Sequence, residues 1–158
     1  MPRKSEFVKV TGDLYKSPEF IAKIAQLSRE YFVVICVGGG KQINEELLKK
    51  GHKLAIHGPL GRELPTFKDK QIARDILERN RDELQDILAD KGISASVVIP
   101  ALEIGTVLCH VNGDEMVRTA YLGFDKLIIV TTPDRLEKKK KEFADLPKVE
   151  VIGLDFDD

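Results

Sequence analysis

Phe32-Val-Val-Ile-Cys-Val-Gly38-Gly39-Gly40-Lys-Gln-Ile-Asn44 is the stretch on which the reading of this chain turns. Apolar, mostly β-branched residues run into three consecutive glycines, and a helical pattern through Ile43, Leu47 and Leu48 follows at once. An apolar run without alternation reads as a strand buried on both faces, as in a parallel sheet. Glycines at its carboxyl end let backbone N–H groups approach a ligand with no Cβ in the way. The helix that they open points its positive dipole end at the same place, which favours an anion. A phosphate or carboxylate site is one reading and a tight strand-to-helix turn is the other. The glycines alone fit both.

On either side the chain alternates short strands with helices. Residues 6–10 read as a strand that enters Thr11, Gly12 and Asp13. Ser17 and Pro18 supply an N-cap and a first-position proline for a helix with Phe20, Ile21, Ile24 and Leu27 on one face. The triple glycine opens a helix over 41–50, closed by Gly51. Residues 53–57 suit a further strand, and 58–65, with two glycines and two prolines, read as loop. Thr66 caps a long helix through Leu88, ended by Gly92. Strands are expected over 96–102 and 106–111, around Gly105. Asn112 caps a helix through Met116, Val117, Ala120 and Tyr121. A buried strand over 127–131, a basic helix over 136–143, a strand over 149–152 and the acidic residues Asp155, Asp157 and Asp158 complete the chain. Such alternation implies right-handed βαβ units. The expected fold is a single α/β domain over 1–158, a three-layer αβα sandwich with a mostly parallel central sheet.

Bulk properties narrow the function. The chain has 158 residues, with 25 basic against 26 acidic side chains, so no polyanion partner such as nucleic acid is implied. No apolar run approaches the roughly 18–20 residues that span a bilayer, and no signal-peptide pattern follows Met1. A cytoplasmic protein is expected. Cys36 and Cys109 are isolated within apolar runs and read as small buried hydrophobes. His52, His57 and His110 lack zinc-ligand spacing, so no metal site is assigned. The glycines match neither GxxxxGK[ST] nor GxGxxG, and no GxSxG elbow is present. The lysine run over 138–141 reads as a solvated helix face.

Ligands of parallel sheets bind at the carboxyl ends of the strands. Four polar or glycine-rich segments fall there: Thr11-Gly12-Asp13, Gly38-Gly39-Gly40, Asn112-Gly113-Asp114 and Thr131-Thr132. By alternation Lys9 shares a face with Phe7, where a lysine is costly unless it reaches a partner or an anion; an edge-strand lysine is the plainer reading. Asp114, in the first turn of its helix, interacts well with the dipole and needs no function for that. Together, a lysine to neutralise developing charge and an aspartate to hold it are suitable parts for phosphoryl transfer.

The order of these motifs resembles the amino acid kinase superfamily, which includes acetylglutamate, aspartate and uridylate kinases. The resemblance rests on Lys9-x-Thr-Gly12-Asp13, on Gly38-Gly39-Gly40-Lys-Gln-Ile-Asn44, and on Asn112-Gly113-Asp114 followed by Gly123-Phe-Asp-Lys-Leu-Ile-Ile-Val-Thr131. It implies that Lys9 contacts the transferred phosphoryl group and that Asp114 organises the catalytic lysines. It implies Gly12, Asp13, Thr131 and Thr132 on the nucleotide side. Gly38, Gly39, Gly40, Asn112 and Arg62 fall on the substrate side, with Arg62 gripping a carboxylate. ATP and Mg2+ are the implied cofactors. Where the superfamily has Thr-Asp-x-x-Gly, this chain has Thr131-Thr132-Pro133-Asp134-Arg135. The resemblance also implies shortening at the C-terminus, leaving the substrate-binding part. Three functions are therefore expected as alternatives. One is a small-molecule kinase acting on a carboxylate- or phosphate-bearing substrate. Another is a non-catalytic sensor or a subunit completed by a partner chain or a second copy. The last is a Rossmann-like nucleotide-binding module.

Overall fold

The computed structural model describes residues 3–155, so Asp157 and Asp158 of the acidic tail lie outside the described residues. Its elements in order are β1 (Ser5–Val10), α1 (Pro18–Glu30), β2 (Phe32–Val37), α2 (Gly40–Lys49), β3 (Ile56–Gly58), β4 (Gly61–Glu63) and α3 (Phe67–Asp90). They continue with β5 (Ser96–Val98), β6 (Ala101–Ile104), β7 (Val107–His110), α4 (Gly113–Ala120), β8 (Lys126–Thr131), α5 (Pro133–Glu142) and β9 (Val149–Gly153). Five strands form one sheet in the order β5-β2-β1-β8-β9, every neighbouring pair parallel. Strand β1 is its middle.

Alternation along β1 supplies two cores. Val8 and Val10 face a cluster with Phe20, Ile24 and Leu27 of α1, Val33 and Ile35 of β2, and Leu84 and Leu88 of α3. Phe7 faces the other way, toward Val117 of α4, Leu127 and Ile129 of β8, and Phe143 beyond α5. Each fully buried side chain of this kind stabilises the fold by about 1.5–3 kcal/mol. A third cluster packs Ile43 and Leu47 of α2 on Ile72, Ile76 and Leu77 of α3.

The layers follow from handedness. From β1 the chain moves outward through β2 to β5, with α1 and α3 on one face. It then returns to the far side of β1 and moves outward through β8 to β9, with α4 and α5 on the opposite face. Right-handed crossovers require that exchange of faces when the direction reverses. In order along the sheet the central strands are third, second, first, fourth and fifth in the chain, the order of a Rossmann-type sheet. The reversal point lies between β1 and β8.

Three sequence expectations are corrected. Residues 53–57 do not join the central sheet: Ile56–Gly58 pairs antiparallel with Gly61–Glu63, so part of the expected loop is a small hairpin. The strand over 96–102 breaks at Pro100, which has no N–H for a ladder. Its first part stays in the sheet as β5, and its second turns back at Gly105 (φ +63°) to pair with β7. Because β7 left the sheet, Cys109 is only partly buried, whereas Cys36 is buried and its thiol is pushed up to about 12 by that burial. Among the described residues no helix is long and apolar enough to cross a membrane.

The start of α3 is fastened twice. Thr66 and Asp69 form a reciprocal capping box, and Asp69 Oδ1 also lies 2.5 Å from His52 Nδ1, just beyond the end of α2. The Thr66 hydroxyl, with His52, holds the Asp69 carboxyl below its ordinary range. Its contribution is therefore complete above the ordinary carboxylate pKa and is lost as pH falls through the lower folded value. Asp69→Ala is expected to cost about 1–2 kcal/mol at pH 7 in urea unfolding, and the deficit relative to the parent protein should narrow below about pH 4.

Candidate functional site

Lys9 stands on the middle strand of the sheet, so the edge-strand reading does not apply. Its side chain runs along the face of Phe7 and crosses the start of α4 at Gly113, where a Cβ would lie 2.7 Å from Lys9 Cε. The ammonium reaches Asp114, with Nζ 3.5 Å from Oδ1. The other carboxylate oxygen accepts a hydrogen bond of 2.5 Å from Lys139 of α5, which also donates to Glu142 at 2.9 Å. The three side chains are only 12–16% exposed. Burial opposes ionisation of Asp114, but the two lysines outweigh it and hold its carboxyl below the usual range. Burial likewise opposes the charge on Lys139, and its carboxylate partners overcome that, raising its pKa. Asp114 thus fixes two cations, and with Glu142 it brings this four-residue cluster to charge balance.

Two glycine turns form the floor beside this cluster. Gly38 N–H donates to Val10 O at 2.9 Å, and a Cβ on Gly12 would meet Gly38 O at 2.8 Å and Gly39 Cα at 2.9 Å. The loops after β1 and β2 therefore touch backbone to backbone, which only glycine permits. Gln42 Nε2 donates to Gly12 O at 2.7 Å and ties them further. Gly39 is the N-cap of α2 and has no side chain to cap it, and the residues of this uncapped first turn, Gly40, Lys41 and Gln42, line the cleft. Beneath, buried Asn80 of α3 donates to Gly38 O at 3.0 Å, and the Tyr15 hydroxyl, 3.2 Å from Asn80 Oδ1, donates its one proton to Glu83 at 2.6 Å.

The β3–β4 hairpin closes the opposite wall. Gly61, at φ +119°, packs on Asn112, where a Cβ would approach Asn112 Cβ to 2.5 Å. Asn112 itself caps α4 through a 2.8 Å bond from Asp114 N–H. Arg62 donates to Asn44 Oδ1 and to Gly40 O. Burial lowers its pKa, and among the described residues no carboxylate pairs with it. Burial, with Arg62 nearby, pushes His110 down to about 4, so its imidazole is neutral near pH 7.

These groups surround one cleft of about 1050 Å3 at the carboxyl ends of the strands. Seven Lys and Arg side chains against five Asp and Glu line it, in a chain of net charge −1, so the cleft is locally cationic. Thr11 Oγ1, Gln42 Oε1 and Thr131 Oγ1 border it as buried oxygens without a hydrogen-bond partner among the described residues. Of the residues singled out from sequence, Lys9, Gly12, Asp13, Gly38, Gly39, Gly40, Arg62, Asn112, Asp114 and Thr131 all line this cleft. Thr132 does not; its role is to cap α5, where it makes no side-chain bond but accepts from Arg135 N–H. The lysine run needs correction: Lys139 turns inward, because Leu136, Lys139 and Phe143 fall on one stripe of α5 and Phe143 is in the core. That spacing was the available signal. Asn80 and His110 left no comparable one. Among the described residues no group of three His, Cys, Asp or Glu side chains is placed to hold a metal ion.

No protein-family model matches the chain, and no curated protein matches it either. Among solved structures it is similar to pantoate-beta-alanine (pantothenate synthetase) from Thermus thermophilus. Identity is 18% and the TM-score 0.41, over 98% of this chain and 56% of that one. The chain thus spans little more than half of that protein's length. The assignment to the amino acid kinase superfamily is corrected: no family model matches the chain, and the solved structure to which it is similar is that of a pantothenate synthetase, not of a kinase. The physical reason is local. A buried strand, a glycine turn and a capped helix are what any parallel sheet needs at each strand end, so those motifs fit many families.

Two substitutions test how the site is held. Gly113→Ala places a methyl group 2.7 Å from Lys9 Cε, forces the lysine off Asp114, and is expected to cost about 1–3 kcal/mol in denaturant unfolding. Asn80→Ala leaves the Gly38 carbonyl without its side-chain donor, while the Tyr15 hydroxyl keeps Glu83, and should cost about 1–3 kcal/mol in denaturant unfolding.

Proposed function

We propose that the cleft binds a nucleoside triphosphate such as ATP together with a small acid, and transfers a phosphoryl group between them. The observation that carries this reading is Asp114 held between Lys9 and Lys139 beside two touching glycine turns. Phosphoryl transfer spreads charge over the oxygens of the moving group, so catalysis is chiefly positioning and neutralisation. Lys9 and Lys139 supply that neutralisation, and Asp114 keeps both ammonium groups aimed. Gly12, Gly39 and Gly40 bring backbone N–H groups to the phosphates, and the Thr131 hydroxyl faces the same space.

The acceptor is a carboxylate or phosphate oxygen, already anionic at neutral pH. Its oxygen bonds to the terminal phosphorus as the bond to the bridging oxygen breaks, and that electron pair stays on the nucleoside diphosphate. No proton moves and no protein base is required, which suits a cleft whose Asp114 is occupied by two cations. Arg62 holds the acceptor's acidic group, since a guanidinium matches a carboxylate or phosphate in bidentate fashion. A magnesium ion on the phosphate chain would add Lewis-acid charge. Asp13 and Glu45, cleft carboxylates with no cation partner among the described residues, are the side chains suited to face it.

Calorimetry with ATP and Mg2+ tests this directly. Binding is expected in the parent protein, and Lys9→Ala or Lys139→Ala should reduce turnover with an acidic acceptor by about 10²–10³-fold. Absence of heat with every nucleotide tried would remove the reading. Binding without turnover across a panel of acids would leave a nucleotide sensor.

A further inference from the structure

Away from Lys139 the lining of the cleft changes character. Leu48 of α2, Leu54 ahead of β3, and Pro59 and Leu60 at the turn of the hairpin line this end. Leu48, Leu54 and Leu60 are 58%, 50% and 75% exposed. The core does not need them: α2 meets α3 through Ile43 and Leu47 instead. Scattered exposed leucines need no explanation, but several on one concave wall with a polar rim mark a ligand groove.

The rim is the hairpin's own arginine. Arg62 lies on β4, just past Leu60, and its guanidinium is held by Asn44 and the Gly40 carbonyl. Both partners are neutral, so its full charge stays available to a ligand beside an apolar wall. The geometry points to an acid with an apolar hydrocarbon tail as the acceptor, its acidic group on Arg62 and its tail across Leu48, Leu54 and Leu60. This rests on the reading of the cleft as a phosphoryl-transfer site only for the word acceptor; the binding claim stands on the wall itself. The head group is a carboxylate or a phosphate monoester, which this chemistry does not separate.

Equilibrium binding without nucleotide provides the test. Straight-chain carboxylates from acetate to octanoate, and the corresponding alkyl phosphates, are titrated into the full chain. Affinity is expected to rise about fourfold for each added methylene over the first several carbons, the value of a buried CH2. The series with the higher affinity identifies the head group. Leu54→Ser with Leu60→Ser should flatten the dependence on chain length, whereas Arg62→Gln should lower affinity for every member alike. Both leucines are exposed, so these variants are expected to fold, which circular dichroism verifies. Equal affinity along both series would overturn the proposal. So would a loss of ATP affinity in the leucine variants as large as the loss for the acids, because the wall would then hold a base. Loss of self-association in those variants, without any chain-length dependence, would assign the wall to a second copy and also overturn it. If the chain-length dependence is found but no nucleotide binds, the acid site stands and phosphoryl transfer falls.

Discussion

One carboxylate between two ammonium groups sets the terms for the rest of this molecule. Lys9 is placed by strand alternation on the middle strand of a buried sheet, where a solitary cation would be very costly. Asp114 relieves that cost, and it can do so only because Gly113 lets the lysine pass under the start of α4. A single carboxylate matched to a single lysine would close the account electrically. Lys139 reopens it: the second ammonium shares the same carboxylate, and only Glu142 at the mouth balances it further. The cluster is therefore balanced in itself, two lysines against two carboxylates, and the cationic excess of the cleft comes from its other side chains, Arg62 and Arg135 among them.

The topology makes room for that cluster. Helices α1 and α3 cover one face while α4 and α5 cover the other, and the chain reverses direction between β1 and β8. At such a point the connections leave in opposite directions, and the strand ends are left uncovered. Thr11 and Thr131 follow the paired residues Val10 and Val130 directly, so two hydroxyls emerge side by side there. The glycine turn after β2 then leans onto Gly12. Its shape depends on more than its own sequence, since Asn80 from α3 takes the Gly38 carbonyl and Gln42 takes that of Gly12.

This division explains what was legible in the sequence. The central strands, the long helices and their caps were readable because each is local: Ser17-Pro18, Thr66 through Asp69 and Asn112 satisfy helix ends within a few residues. The segments at the ends of β1, β2 and β8 were readable as a set, because parallel topology carries them to one edge. Asn112-Gly113-Asp114 instead follows β7 outside that sheet and reaches the cleft with the start of α4. Lys139 was hidden in a run of four lysines whose composition says solvent, although its spacing from Leu136 and Phe143 says otherwise. Asn80 and His110 act through contacts made only after folding, and Arg62 owes its place to a hairpin too short to show a strand pattern. The misreading of family came from the same source as the successes. Local strand–glycine–helix grammar specifies a type of sheet edge, and a family is specified by far more than that.

The cleft is also polar along its length, in the directional sense. Lys139, Lys138 and Arg135 stand at one end, leucines and a single guanidinium at the other, and the glycine turns between them. A lone small anion has no reason to prefer such a gradient, because it meets cations throughout. A pair of ligands does have a reason: the more highly charged one gains most near the lysines, and the one with an apolar part gains most near Leu48, Leu54 and Leu60. Their charged ends would then face each other across Gly12 and Gly38, where the two loops touch backbone to backbone beside Gln42. On the two-ligand reading proposed above, sorting by charge at one end and by apolar area at the other would orient both ligands, together with Arg62 and the lysines, and the shared glycine floor is where that orientation would become proximity.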